Sequence, residues 1–127
     1  ASLQHELERA RKALEAASIS LTIHHAERLE DHPQSSVLAM ALREAVTNVI
    51  RHSGARHCTI SFDCDAAGQP CAIRIEDDGA EQSGRSPAPP QEGNGLRGMR
   101  TRLAAAGGSL MLSHTSSGLR LTASITP

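Results

Sequence analysis

The sequence predicts an α+β two-layer sandwich, a mixed β-sheet covered on one face by helices. Three observations lead there. The 127 residues fit one ordinary domain with a buried core. Apolar residues recur at steps of three and four in some segments and alternate strictly in others. Two pairs of strand-like segments follow one another with only a turn between them, where a doubly wound parallel sheet needs helices.

The elements follow in order. Residues 2–16 carry Leu3, Leu7, Ala10 and Leu14 among charged residues, the pattern of an amphipathic helix. Ile19, Leu21 and Ile23 alternate with Ser20 and Thr22, so Ser18–His24 reads as a strand. Asp31-His32-Pro33 breaks the chain, and Ser35 or Ser36 can cap the next helix. That helix runs from Val37 to His52, its apolar face formed by Val37, Leu38, Ala41, Leu42, Ala45, Val46, Val49 and Ile50, and Ser53-Gly54 ends it. His57–Cys64 and Cys71–Asp77 read as a hairpin joined through residues 66–70. Gly79 to Gly93 is rich in Ser, Gly and Pro without apolar periodicity, and is expected to be a mobile loop over a site. A helix over Leu96–Ala106 stops at Gly107-Gly108. A second hairpin, Leu110–His114 and Leu119–Ile125, turns at Ser116-Ser117-Gly118. There are no internal repeats.

Composition removes several functions. Phe62 is the only aromatic residue, so the stacking platforms of a single-stranded nucleic-acid binder are missing. A net charge of −1 argues against a general polyanion binder, and no nucleic-acid partner is expected. No apolar run approaches a membrane span and no signal peptide is visible, so no direct membrane contact is expected from these residues. The chain begins without Met, directly in a helical pattern, and reads as part of something longer. Cys58, Cys64 and Cys71 form no CxxC pair, which is reduced, cytosolic usage. Cys58 and Cys64 share the alternation of Ile60 and Phe62 and are expected as small core residues. The histidines are scattered, without zinc spacing. After Glu92 no acidic residue remains, while Arg97, Arg100, Arg102 and Arg120 do. That is a positive field suited to a small anionic ligand, or a solvated arginine face.

Three segments carry candidate chemistry. Glu44, Asn48 and His52 follow at i, i+4 and i+8, with Arg51 beside them, and form a polar ridge along one flank of the central helix. A carboxylate and an amide oxygen about one turn apart can hold a hydrated Mg²⁺ with its phosphates; a solvated helix face is the other reading. Gly93-Asn94-Gly95-Leu96-Arg97-Gly98 matches GxGxxG. A Pro-rich segment precedes it and no acid follows, so the dinucleotide-binding reading fails. A glycine turn opening a helix still offers backbone N–H groups to an anion, with Arg97 adding charge. Ile73-Arg74-Ile75-Glu76-Asp77-Asp78-Gly79 runs a strand into an acid-acid-glycine turn. A carboxylate there can accept from an exocyclic amine, although Asp-Gly is also an ordinary turn.

Together these segments resemble, in order and spacing, the N, G1 and G2 boxes of the GHKL ATPase superfamily. Residues 43–55 are similar to the N box of sensor histidine kinases of the nitrate-sensor and desaturase-regulator type, and residues 93–103 to their G2 box. The lead-in Leu7-Glu8-Arg9-Ala10-Arg11-Lys12-Ala13-Leu14 is similar too, so the resemblance spans essentially the whole chain. It implies the Bergerat fold and MgATP, with ATP and Mg²⁺ as the groups bound. Asn48 is implied as the Mg²⁺ ligand, with Glu44 supporting the metal shell or a bound water. Arg51 and His52 are implied near the phosphates, Asp77 on the adenine amino group, and Gly79 as room for the ring. Gly93, Gly95, Leu96 and Gly98 are implied to present backbone to the phosphates, with Arg97 beside them. Residues 1–17 become a helix leading in from a separate dimerisation and phosphoacceptor domain, 18–127 the catalytic domain, and 80–92 an ATP lid.

The implied activity is protein histidine kinase activity. The γ-phosphoryl group goes to a histidine on that separate domain, and a response regulator is the downstream partner. The implied location is cytoplasmic, at the cytosolic end of a larger sensor. His5 stands too close to Glu44 to be the acceptor and reads as a surface residue. Two positions depart from the family pattern: Glu81 replaces the second glycine of the G1 box, and Leu119 replaces the threonine of a late glycine-threonine pair. The alternatives are an anti-sigma-factor-type serine kinase, which normally lacks the run at 95–102, and a partner-binding domain that has lost nucleotide binding.

Overall fold

The computed structural model describes residues 2–26, 35–67, 70–83 and 94–125. Helix α1 (Leu3–Ala16) starts at Ser2, whose hydroxyl accepts from the His5 N–H at 3.0 Å. It buries Leu3, Leu7, Ala10 and Leu14, the stripe seen in the sequence. Ser18 has a left-handed φ of 61° and turns the chain out of the helix. Strand β1 (Ser20–His24) therefore begins two residues later than the alternation suggested.

Helix α2 (Ser35–Asn48) buries Leu38, Ala41, Leu42, Ala45 and Val46. It does not continue as an α-helix to His52. From Val49 to Ser53 the backbone forms a π turn, which ends on Gly54 at φ 67°. The i→i+5 pairing changes the helical phase, so Glu44 and Asn48 share one α-helical stripe and His52 does not continue it. Arg51 and His52 are exposed there.

Strand β2 (His57–Cys64) lies parallel to β1, with α2 as the crossover between them. Strand β3 (Pro70–Asp77) returns antiparallel to β2. Helix α3 (Gly79–Ser83) and helix α4 (Asn94–Ala105) come next, then β4 (Ser109–His114) and β5 (Leu119–Ser124). The five strands are ordered β1-β2-β3-β5-β4, and only the first pair is parallel, so the sheet is mixed.

One face of the sheet carries the core. Ile60, Phe62, Ile73, Ile75, Leu121 and Ala123 are buried there, together with Leu38 and Leu42 of α2 and Leu96, Met99 and Leu103 of α4. The opposite face is largely polar. Thr22, Thr59, Glu76, Arg120 and Ser113 form a row across all five strands, and Glu76 pairs with Arg120 at 2.9 Å. No described helix is long and apolar enough to cross a membrane.

Three further expectations change, and a fourth lies outside the described residues. Cys58 is buried but Cys64 is exposed, because a bulge between Asp63 and Cys64 breaks the alternation. The segment after Gly79 opens as helix α3, although it has no apolar stripe. Residues 84–93, including Gly93 and most of the expected lid, lie outside the described residues. The downstream arginines do not gather into one field. Arg120 sits on the open face against Glu76, Arg100 donates to the Leu110 carbonyl at 2.9 Å, and Arg102 donates to Met40 Sδ.

Candidate functional site

The start of β2, the end of β3 and the start of β5 meet at one end of the sheet, through the pairs Cys58–Asp77 and Glu76–Arg120. The C-terminal end of α2 and the first turn of α4 come to the same place. Three glycines mark the joins. A Cβ on Gly95 would stand 1.7 Å from Glu44 Oε1, one on Gly79 would stand 2.2 Å from the Ser53 carbonyl oxygen, and one on Gly118 would stand 2.4 Å from the Asp77 carbonyl oxygen and 2.5 Å from its Oδ1. The three motifs that are separate in sequence are therefore in contact through positions that cannot carry a side chain as packed.

Asp77 shares the inward parity of Ile73 and Ile75 and is partly buried at the strand end. Its Oδ1 accepts from the Gly79 N–H at 2.8 Å. Burial raises its pKa above the usual 3.8, opposed by the Gly79 and Leu119 N–H groups and reinforced by the charge of Asp78. Beneath it, the buried Cys58 thiol is pushed up to about 12, first by burial and then by the charges of Asp77 and Asp78. The strand neighbour of Asp77 is thus a protonated, uncharged thiol at neutral pH.

Asp78 behaves in the opposite way. Its Oδ1 accepts from the Arg56 and His57 N–H groups at 2.8 and 2.9 Å. Its Oδ2 lies 2.8 Å from His57 Nδ1 and accepts from Gln82 Nε2 at 3.0 Å. Burial works to raise its pKa, but these bonds outweigh it and hold the carboxyl at about 2. Asp78 ties the start of β2 and the start of α3 to the turn that follows Asp77.

Of the residues singled out from sequence, Glu44 and Asn48 are partly buried on adjacent turns of α2, and Glu44 faces the first turn of α4 at Gly95. Arg51 and His52 lie on the π turn that leads to Ser53, which Gly79 touches. Gly95, Leu96 and Arg97 occupy the first turn of α4, where helix N–H groups lack intrahelical partners. Leu96 turns its side chain into the core, and Arg97 is exposed. Gly98 is the fifth residue of α4, beyond the four open N–H groups, and a Cβ there would meet nothing within 4 Å. The structure therefore gives no reason for a glycine at 98. Gly79 was expected to make room for a ring; its bareness is needed in any case to seat the Ser53 carbonyl.

No sequence motif assigned Asp78 a role of its own, and Ser53 was expected only to end its helix. Asp78 followed three residues later by Glu81 is a helix-start signature in the sequence. The Ser53 hydroxyl donates to the Val49 carbonyl at 2.6 Å and accepts from the Ala55 N–H at 3.0 Å, closing the π turn. The departures from the family pattern also find an account. Glu81 has an ordinary helical backbone in α3, with no positive φ, and its N–H donates to the Ser117 carbonyl at 2.8 Å. Leu119 contributes its N–H to Asp77, so the contact there is made by backbone. A surface depression of about 350 Å³ on α1, between Ser2 and Lys12, contains none of these residues.

Fold and site together define a class of α+β sandwich that gathers a carboxylate, a carboxamide and a glycine-opened helix at one end of a mixed sheet. A family model described as the histidine kinase-like ATPase domain matches residues 1–118, and the chain belongs to that family. It is 36% identical over 126 residues to the sensor histidine kinase DesK of Bacillus subtilis, a match that covers 97% of this chain and 32% of DesK. The chain thus spans about a third of the length of that relative. Among solved structures, the histidine kinase domain of a blue-light activated kinase from Erythrobacter litoralis superposes with a TM-score of 0.74 at 16% identity, covering 98% of this chain and 64% of that one. The ATP-binding domain of PrrB from Mycobacterium tuberculosis superposes with a TM-score of 0.65 at 20% identity, covering 98% and 93%. At these identities the structural likeness speaks for the fold.

Proposed function

We propose that this chain is the MgATP-binding catalytic domain of a two-component sensor histidine kinase, donating the γ-phosphoryl group of ATP to a histidine on a separate domain. The observation that carries the reading is the meeting of Glu44 with the first turn of α4 at Gly95. It sets a carboxylate beside open helix N–H groups, with the amide of Asn48 one turn further along the same helix, a donor set that suits a metal and its phosphates. The donor set fits the group: carboxylate and amide oxygens suit Mg²⁺, whose remaining positions are filled by water and phosphate.

In this reading Asp77 accepts a hydrogen bond from the adenine amino group. A guanine presents a carbonyl oxygen there, and two acceptors repel. The N–H groups of Gly95 and Leu96 and the Arg97 guanidinium take phosphate oxygens. Arg51 and His52 flank the phosphates from the π turn. Asn48 is the protein ligand to Mg²⁺, and Glu44 orders the metal shell or a bound water. A Mg²⁺ held by Asn48, with Glu44 ordering its shell, would supply positive charge to the phosphate oxygens. The chain itself contributes orientation and electrostatics, holding the γ-phosphoryl in line for an imidazole supplied from elsewhere. Residues 1–17 connect to a dimerisation and phosphoacceptor domain, residues 80–92 act as the lid, a response regulator receives the phosphoryl group, and the location is cytoplasmic.

Supplying a longer chain that includes the upstream helical hairpin with γ-labelled ATP tests this. An acid-labile, base-stable label on histidine is expected, with no label on the 127-residue chain alone and loss of label in Asn48→Ala. Label on serine, or full labelling of Asn48→Ala, contradicts it.

A further inference from the structure

Glu6 is the one buried charged side chain among the described residues, at 4% exposure, and it stands on α1, a helix that supplies no site residue. It shares the buried stripe of Leu3, Leu7, Ala10 and Leu14. Its charged neighbours among the described residues are two arginines at loose range. Arg9 Nε lies 3.8 Å from Oε2 and Arg43 Nε 4.0 Å from Oε1, and both arginine side chains are more than half exposed, at 56% and 64%. A carboxylate so enclosed carries a desolvation cost that such distant partners offset poorly, and apolar residues at such positions often leave a fold as stable or more so. The first turn of α1 favours an acid through the helix dipole, but it would favour an exposed one equally and does not explain the burial. Orientation does, because a buried ion pair fixes which rotation of one helix on another is allowed.

The partner across the helix seam is Arg43, the residue before Glu44. The Arg43 carbonyl accepts from Thr47 Oγ1 at 2.8 Å, inside the turn that carries Glu44. Glu44 in turn abuts Gly95. A continuous path of contacts thus runs from α1 through Arg43 to the junction of α2 and α4. We infer that Glu6 is a positioning residue for the nucleotide site: through Arg43 it sets the rotation of α2 on α1, and so the place of Glu44 and Asn48 against the glycine turn. The inference rests on the nucleotide reading above and makes the lead-in helix part of the frame of the site.

The test compares wild type, Glu6→Gln, Glu6→Met, Arg43→Gln and the Glu6→Gln/Arg43→Gln double variant of the 127-residue chain. Each is titrated calorimetrically with a non-hydrolysable ATP analogue, with and without Mg²⁺, and unfolded in urea. Glu6→Met is expected to keep or raise the urea midpoint while binding the Mg²⁺ complex about tenfold more weakly. The loss is expected to shrink without Mg²⁺, and the double variant is expected to bind no more weakly than Arg43→Gln alone. Affinity loss in Glu6→Gln and Glu6→Met that tracks a fall in urea midpoint reduces Glu6 to a structural residue and overturns the inference. So do wild-type affinity in both Glu6 variants and additive losses in the double variant. Absence of any binding by wild type removes the nucleotide reading itself, a separate result.

Discussion

Asp77 and Asp78 are neighbours in the chain and opposites in chemistry. Asp77 points inward over Cys58 and titrates above the usual 3.8 because burial disfavours its charge. Asp78 collects two backbone N–H groups, the His57 ring and the Gln82 amide, and titrates at about 2. Its folded pKa lies below the unfolded value, so its ionised form stabilises the fold. That contribution is complete above pH 4 or so and fades as the pH falls through about 2. Asp78→Ala should lower the unfolding free energy at pH 7 by about 3 kcal/mol. It should also flatten the acid limb of stability against pH, as followed by circular dichroism in urea; an unchanged limb would show that Asp78 is a bystander. The sequence displayed both aspartates at the end of a strand. The alternation of Ile73 and Ile75 already turned Asp77 inward; what it could not display was the set of partners that Asp78 collects, because they come from β2 and α3.

At the scale of elements, what was legible was what has a local period. The helices at the chain start, at the N box and after the glycine turn, and both hairpins, follow from apolar spacing and turn residues, with ends displaced by a residue or two except where the central α-helix stops at Asn48 instead of His52. Three features have no such mark. The π turn at Val49–Ser53 differs from an α-helix by one hydrogen-bond step, which composition does not encode. The bulge at Asp63 and Cys64 sends a cysteine outward from a strand whose alternation pointed it in. Helix α3 buries no apolar stripe and is held by the Gln82 N–H on the Asp78 carbonyl at 3.0 Å and the Glu81 N–H on the Ser117 carbonyl at 2.8 Å. The seam between α2 and α4 gives the element-scale prediction. In Gly95→Ala the new methyl meets the end of a flexible Glu44 side chain, which can swing aside, and alanine favours the helix by about 1 kcal/mol. The urea midpoint should hold or rise while affinity for the Mg²⁺ complex of an ATP analogue falls about tenfold. Wild-type affinity in this variant would remove the Glu44–Gly95 junction from the site.

Over the whole molecule, the one-sided sheet explains how so small a chain builds a site. Helices cover one face, Phe62 is the single aromatic residue in the core, and the other face is an open, largely polar lattice of Thr, Ser, Glu and Arg in which Met111 is exposed. The site sits where the helix layer meets the sheet end, assembled from α2, the β3 end, the start of α4 and the start of β5. That two-layer plan was legible from element order. The contact of Gly118 with Asp77 was not, because it depends on β5 crossing to pair with β3 rather than with β4 alone. Everything in the proposed site turns on an adenine held by Asp77 at the sheet end. Calorimetric titration of the chain with non-hydrolysable ATP and GTP analogues in Mg²⁺ tests it most directly. Wild type should prefer the ATP analogue by about tenfold or more, and Asp77→Asn should lose both that preference and most of the affinity. Equal affinity for the two analogues in wild type, or an unaltered preference in Asp77→Asn, would contradict it.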